Sequence, residues 1–354
     1  MAVKILSIGG GWVVNHRHLP ALKLNPGFEL AGIVSDNEQR TRETARRFGV
    51  PHFAANIDFS ADWQASADAV IIGTIPHAHY EIAKQSLLAG KHVLTEKPMT
   101  LTVEQGQELA ALAKEKKLVM AVVHNFQFSG AAKKYQHDLA RGRIGKIQAA
   151  YGVQLCNHRR NIPAWCDKLP LGLFFDESPH FYYLFRWLSG GQCSFLNATV
   201  WKSREHRNTP RLVTAEYRAC SNASEQAGDD FPVYLHINFE SSLTEWHVTV
   251  VGENGTADID VWRDIYVYLP NDGVHAARDI VRTSLLATVR HWQGVLTGGI
   301  QYFRGRHLYG NLEVQNRFLQ AIRGNDSLQG MSAEEGIQVV AMQHELVNRA
   351  VYYD

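Results

Sequence analysis

Short apolar runs recur through the first third of the chain, each followed by a helical pattern. Val3 to Ile8, Glu29 to Ser35, Asp68 to Gly73, Lys91 to Leu94 and Leu118 to Val123 have the near-continuous hydrophobicity of strands buried on both faces. Helical periodicity covers Glu38 to Phe48, Tyr80 to Ala89 and Val103 to Lys116. Strands alternating with helices of this length predict a doubly wound parallel sheet. From about His124 the alternation stops. Ile147 to Leu155, Ser194 to Trp201, Leu212 to Arg218, Val233 to Phe239, Glu245 to Val251 and Thr256 to Val261 read as strands in series, with Gly252-Glu253-Asn254-Gly255 as a hairpin turn. Strands without intervening helices predict an open, mainly antiparallel sheet. Helical patterns return at Val274 to Leu296 and Leu312 to Arg323. A last helix is expected from the capping pattern Ser332-Ala333-Glu334-Glu335 toward Val351. The expected organisation is an α/β domain over 1–123 and a second domain of mixed α+β character over 124–354.

Composition narrows the class. Hydrophobic residues make up 45% of the 354 positions and charged residues 20%, with a net charge of +1. There is no bulk electrostatic case for nucleic acid or an anionic membrane. Cys156, Cys166, Cys193 and Cys220 form no CxxC pair, which suits a reduced cytoplasmic protein. No signal-like segment precedes the first strand, and Ile280 to Leu296 is interrupted by Arg282, Arg290 and His291, so no membrane span is expected.

The candidate chemistry lies at strand ends. The first strand runs into Gly9-Gly10-Gly11-Trp12-Val13-Val14, the strand, glycine turn and helix context of a dinucleotide fingerprint. Gly9 suits the tight turn and Gly11 the approach of a pyrophosphate to the backbone. Val14 takes the third glycine position, which implies a wider helix–strand spacing. Asp36 follows the next strand, about 25 residues after the turn, where an acid accepts hydrogen bonds from a ribose and repels a 2′-phosphate. That favours NAD over NADP, with Arg40 as a cation that partly offsets the repulsion. A helix cap is the competing role for Asp36. Glu96-Lys97-Pro98 closes another strand, and the proline stiffens the turn that carries the Lys97 ammonium. His16, His18, His77 and His79 have no third ligand at a metal-site spacing, so no metal is expected.

In the second domain Ser178-Pro179 looks like an N-cap followed by proline at the first helical position, with His180 in the first turn. The positive helix end disfavours an imidazolium while Asp176 favours one, and the two effects oppose. Asn157 to Trp165 precedes this helix. Arg159 and Arg160 suit a phosphate or carboxylate, and Trp165 suits stacking on a sugar face; a solvated loop with one anchoring aromatic is the alternative.

Together these segments resemble the glucose–fructose oxidoreductase, inositol dehydrogenase and rhizopine-catabolism (Gfo/Idh/MocA) family. The likeness rests on Gly9-Gly10-Gly11 with His18-Leu19-Pro20-Ala21-Leu22, Thr74-Ile75-Pro76 with His79, and Glu96-Lys97-Pro98. It continues through Asn125-Phe126-Gln127-Phe128, Gly142-Arg143-Ile144-Gly145-Lys146-Ile147 and Asp176-Glu177-Ser178-Pro179-His180. Ser178 and Tyr183 depart from the family pattern, where glycine and often aspartate stand. The resemblance implies a Rossmann domain followed by an open-sheet domain that also forms a homodimer or homotetramer. It implies NAD contacts from Gly9, Gly11, Trp12, Val13, Asp36, Arg40, Thr74, Ile75, Pro76, His79, Glu96, Lys97 and Asn125. Lys97, Asn125, Gln127, Arg159, Arg160, Trp165, Asp176 and His180 would face a sugar or cyclitol. Lys97 would then sit near the reacting hydroxyl as a protonated electrostatic partner, His180 would be the general acid/base, and Asp176 would belong to the same cluster. The implied activity is NAD-dependent oxidation of a secondary hydroxyl. A redox-neutral hydrolase or lyase using NAD transiently and a dinucleotide-sensing regulator are the alternatives.

Overall fold

The computed structural model describes residues 1–220, 230–274, 276–305, 307–325 and 328–354. Six parallel strands form the first sheet: β1 (Val3–Ile8), β2 (Phe28–Val34), β3 (Phe53–Ala54), β4 (Ala69–Ile72), β5 (His92–Thr95) and β6 (Met120–Val122). Their order is β3-β2-β1-β4-β5-β6, so the chain reverses direction across the sheet between β1 and β4. The connecting helices are α1 (Leu19–Lys23), α2 (Glu38–Phe48), α3 (Asp62–Ala65), α4 (Pro76–Leu88) and α5 (Val103–Lys116). The expected doubly wound fold is therefore present. α5 has the expected limits because Thr102 caps it, its side chain accepting the Gln105 N–H. α4 begins earlier than periodicity suggests, since Pro76 opens it and His79 is buried in its first turns. Leu6, Val70, Val93 and Val122 pack with Ala83, Leu87 and Leu109 in one core.

This first unit comprises Met1–Asn125 and Gly310–Ala341, so part of the expected 124–354 domain groups with it. The returning segment is fixed by specific polar bonds. Gln315 donates to the His18 carbonyl at 3.1 Å, Asn25 donates to Asn316 at 2.8 Å, and the Val122 N–H donates to the Met331 carbonyl at 2.9 Å.

The second unit, Phe126–Tyr309 and Met342–Asp354, holds an eight-stranded mixed sheet. After α6 (Gly130–Ala140) come β7 (Ile147–Asn157), α7 (Leu173–Glu177), α8 (Pro179–Leu188), β8 (Cys193–Trp201), β9 (Leu212–Cys220), β10 (Asp230–Ser241), β11 (Glu245–Gly252), β12 (Gly255–Asp260), β13 (Ile265–Pro270) and α9 (Ala277–Phe303). α10 (Asn311–Ile322) and the start of α11 (Ala333–Arg349) belong to the first unit, and β14 (Val351–Tyr353) to the second. The strand order is β13-β12-β11-β7-β10-β9-β8-β14, antiparallel except for β7/β10 and β8/β14. The last helix stops at Arg349 instead of reaching Val351, and the residues beyond it pair with β8.

Gly152 in β7 positions α8. A Cβ there would lie 2.6 Å from Phe185 and 2.7 Å from Phe181, so only glycine lets these aromatic rings rest on the strand. No helix among the described residues is long and apolar enough to cross a membrane.

Candidate functional site

In the first unit the candidate residues follow β1, β2, β4 and β5, at the strand ends where such sheets hold ligands. Gly9 has φ +116°, and a Cβ on it would lie 2.4 Å from the Gly73 carbonyl oxygen. Nothing lies within 4 Å of where a Gly11 Cβ would sit, which leaves the backbone approachable by a phosphate. Asn15 holds the turn by donating to the carbonyls of Gly10 and Gly11 at 3.2 and 3.1 Å. Val14 is buried and needs no widened spacing. It fills the room left by Gly73, where a Cβ would come within 2.5 Å of its Cγ2. Trp12 is exposed and stacks on His16 at 5.0 Å, Val13 is half-buried, and Arg17 lies over the Trp12 ring.

Asn37, rather than Asp36, caps α2, accepting the Arg40 N–H at 2.9 Å. The Asp36 side chain projects with 94% exposure, and the Arg40 guanidinium is 3.8 Å away. After β4, Thr74 is half-buried, Ile75 is exposed and Pro76 is buried as the first residue of α4.

The turn after β5 is braced from two sides. Glu96 is buried, its Oε1 accepting from His18 Nε2 at 2.9 Å and its Oε2 from the Lys97 N–H at 3.1 Å. Burial alone would raise its pKa, but the His18 hydrogen bond and the charges of His18 and Lys97 outweigh it and the net shift is downward. His18 reaches Glu96 from a π-helical turn, Val14–His18, that follows the glycine turn. On the other side His79 is fully buried, with Nδ1 2.8 Å from the Pro98 carbonyl and Nε2 3.2 Å from the Thr74 carbonyl. Burial lowers its pKa despite both carbonyls, so the ring is neutral with one proton to donate, and the shorter contact takes it at Nδ1. Glu96 and His79 therefore brace the Lys97–Pro98 turn, in which that peptide bond is cis. Lys97 itself is half-buried; Asn125, after β6, is buried.

In the second unit Ser178 stands at the N-cap position of α8 with Pro179 first in the helix, as expected, but its side chain makes no cap bond. Its backbone is helical, continuous from α7 into α8, and its hydroxyl accepts from Gln343 Nε2 at 3.1 Å. Asp176 lies within α7, half-buried, and His180 in the first turn of α8. Tyr183, three residues on, places its hydroxyl 2.9 Å from His180 Nδ1 and accepts the Phe126 N–H at 3.1 Å. The rings of Phe126 and Trp246 stand 4.7 and 5.4 Å from the imidazole. This gives His180 an oriented Nδ1 and apolar walls. The sequence marked Tyr183 only as a departure from the family pattern, and Trp246 was not anticipated. The spacing of His180 and Tyr183 on one helix face was the available signal for the first; nothing local points to Trp246.

Arg160 is engaged within the fold. Its guanidinium pairs with Glu177 Oε1 at 2.6 Å, and the buried Glu177 also binds Gln154 and Cys156. Arg159 is exposed and Trp165 half-buried. Gln127 is buried in the turn Phe126–Phe128.

Among the described residues Glu245, His247 and Asp260 have metal-like spacing. Arg263 already contacts both acids, at 2.6 and 2.8 Å. His247 Nδ1 meets Asp258 at 2.9 Å, and this bond, against the lowering effect of burial, pushes its pKa up to about 9. The folded value exceeds the ordinary 6.5, so this contribution to stability is complete below about pH 6.5 and lost as pH rises through about 9. Discounted for partial exposure it is on the order of 1–2 kcal/mol. Thermal melts should therefore show a fall in Tm over that window, smaller in His247→Gln; identical slopes in the two proteins would exclude this linkage.

Residues 3–124 match the family described as "Oxidoreductase family, NAD-binding Rossmann fold" (GFO_IDH_MocA). The N-terminal domain belongs to the Gfo/Idh/MocA oxidoreductase family. Similar proteins include the "Uncharacterized oxidoreductase sll0816" of Synechocystis, 32% identical over 161 residues that cover 46% of this chain and 42% of that one. The chain spans about half the length of the curated relatives it matches. Among solved structures, a putative myo-inositol dehydrogenase from Sinorhizobium meliloti is 18% identical with TM-score 0.75, covering 98% of this chain and 97% of that one. The WlbA dehydrogenase of Bordetella pertussis, in complex with NADH and UDP-GlcNAcA, is 19% identical with TM-score 0.74, covering 98% and 95%. At these identities the structural matches establish the fold, a six-stranded parallel Rossmann sheet followed by a mixed, mainly antiparallel eight-stranded sheet.

Proposed function

We propose that this protein is an NAD(H)-dependent oxidoreductase acting on a secondary hydroxyl, or the corresponding ketone, of a sugar, sugar derivative or cyclitol. The observation that carries the reading is the braced Glu96-Lys97-Pro98 turn, on the same sheet as a glycine turn open at Gly11. The donor set suits a dinucleotide: an approachable backbone at Gly11, a projecting acid at Asp36, and exposed apolar surface at Trp12 and Ile75. A bound nicotinamide supplies the hydride acceptor or donor. The protein supplies the rest. Lys97 stabilises negative charge developing on the substrate oxygen. His180, held at Nδ1 by Tyr183, moves the proton to or from that oxygen at Nε2. Asp176, Asn125, Gln127, Arg159 and Trp165 are assigned to substrate contacts. The sugar class is supported by the fold neighbours, one named for inositol and one bound to a nucleotide sugar.

The test is mass spectrometry of small molecules released on denaturation, followed by NAD reduction across sugars, cyclitols and nucleotide sugars. Net NADH formation with one of them is the expected result. Tightly retained NAD without net reduction would overturn the reading in favour of a redox-neutral cycle, and no turnover at all would favour a sensor.

Asp36 sets the cofactor expectation. Its exposed carboxylate repels a 2′-phosphate, so Asp36→Ser should lower the NAD-over-NADP ratio of kcat/KM about 10-fold, and less in high salt. An unchanged ratio would remove Asp36 from ribose recognition.

A further inference from the structure

α9 is amphipathic the wrong way round for a helix that serves only its own fold. It packs on the edge strand β13, where Arg290 donates to the Tyr268 carbonyl and Gly294 lies against Ile265. The inward side carries Thr283, Ala287, Arg290, Gly294 and Gly298, mostly small or polar. The large apolar side chains point away. Val281, Leu285, Trp292, Leu296, Ile300 and Phe303 recur at spacings of three and four residues, or sums of these, and are between 50% and 90% exposed.

We propose that this outward face of α9 is a two-fold interface with a second copy of this chain, the two helices running antiparallel. The size fits. Ten apolar side chains on α9 are exposed, roughly 1,000 Å² in all, beyond the ~300–600 Å² of the largest patch on a typical monomer and comparable with the ~800 Å² each partner gives a standard interface. Over its 27 residues the helix is about 40 Å long, enough to form such a contact by itself. An antiparallel pairing centred between His291 and Trp292 sets the exposed Val281 of each copy opposite the exposed Tyr302 of the other, as an isologous contact requires. A membrane surface is the less favoured occupant. The helix has no lysine, and one of its few arginines, Arg290, is turned inward. This pairing is separate from association through the face of the mixed sheet.

Sedimentation velocity of the full-length protein compared with Leu285→Glu/Leu296→Glu tests it. Both sites are exposed, so circular dichroism and melting should be unchanged while the assembly mass falls by about half. Trp292→Cys, near the two-fold axis, should form an interchain disulfide under mild oxidation. Val281→Cys should not, because antiparallel helices hold its two copies about 30 Å apart. A wild type at monomer mass, a double variant of unchanged mass, or cross-linking at Val281→Cys instead of Trp292→Cys would overturn the proposal. Flotation with phosphatidylglycerol vesicles that is lost in the double variant, with mass unchanged, would assign the face to a membrane instead.

Discussion

Lys97→Ala is expected to lower kcat by about 10²–10³ while leaving NAD binding within a few-fold, as removal of a preorganised charge from a developing oxyanion does. The geometry explains why so large a loss should come from one residue. The ammonium is carried on a turn clamped by Glu96 to His18 on one side and by His79 between the Thr74 and Pro98 carbonyls on the other. A charge fixed in advance costs little reorganisation during reaction, whereas a mobile lysine would have to be ordered each time. Lys97→Arg should not restore full activity, because a planar guanidinium does not reproduce a compact ammonium. Binding of NADH, followed by fluorescence titration, separates the charge from the fold. A kcat near wild type would remove Lys97 from the chemistry, and a parallel loss of dinucleotide affinity would make it a cofactor ligand. Combining Lys97→Ala with His180→Asn adds a further check. If both serve one substrate oxygen, the double variant should be little worse than the poorer single one.

How much of this was legible in the sequence depends on the range of the interaction. β1, β4 and β5 were readable because strands buried on both faces must be apolar throughout, and α5 because its cap is local. β13 and β14 were missed. They are short edge strands, half-buried or exposed at most positions, and their composition is shared with loops. The site was legible as a set of loops but not as a set of partners. His18 and Glu96 are 78 residues apart, and neither shows in its own neighbourhood that it holds the other. Val14 looked like a defect in a glycine pattern until Gly73, across the switch point, proved to provide the space. Arg160 read as a free cation because Glu177 is brought to it only by the packing of α7 beside β7. α9 shows the limit of periodicity itself. The repeat of apolar residues is the same whether that face turns toward the sheet or away from it, and only the structure reveals that it turns away.

His180→Asn should lower kcat by about 10²–10⁴, the usual contribution of a positioned general acid or base, and Tyr183→Phe should reveal how the imidazole is set. The Tyr183 hydroxyl accepts the Phe126 N–H and lies 2.9 Å from His180 Nδ1, and a hydroxyl can act there as donor or as acceptor. It can therefore donate when the imidazole proton sits on Nε2 and accept when the proton sits on Nδ1. A carboxylate at this position could only accept. It would bias the ring toward an Nδ1 proton and stabilise the imidazolium. Phenylalanine keeps the ring packing and removes both options. The expected result is a fall in kcat of about 10-fold with KM nearly unchanged, since orientation of the proton-transfer group matters more in the transition state than in binding. The pH profile of kcat should move as well, because Nδ1 loses its partner. Tyr183→Asp should restore much of the rate with the basic limb of ionisation shifted upward, the carboxylate favouring the charged ring. If Tyr183→Phe lowers stability but leaves both kcat and its pH profile in place, Tyr183 is a packing residue and does not orient His180 for the chemistry.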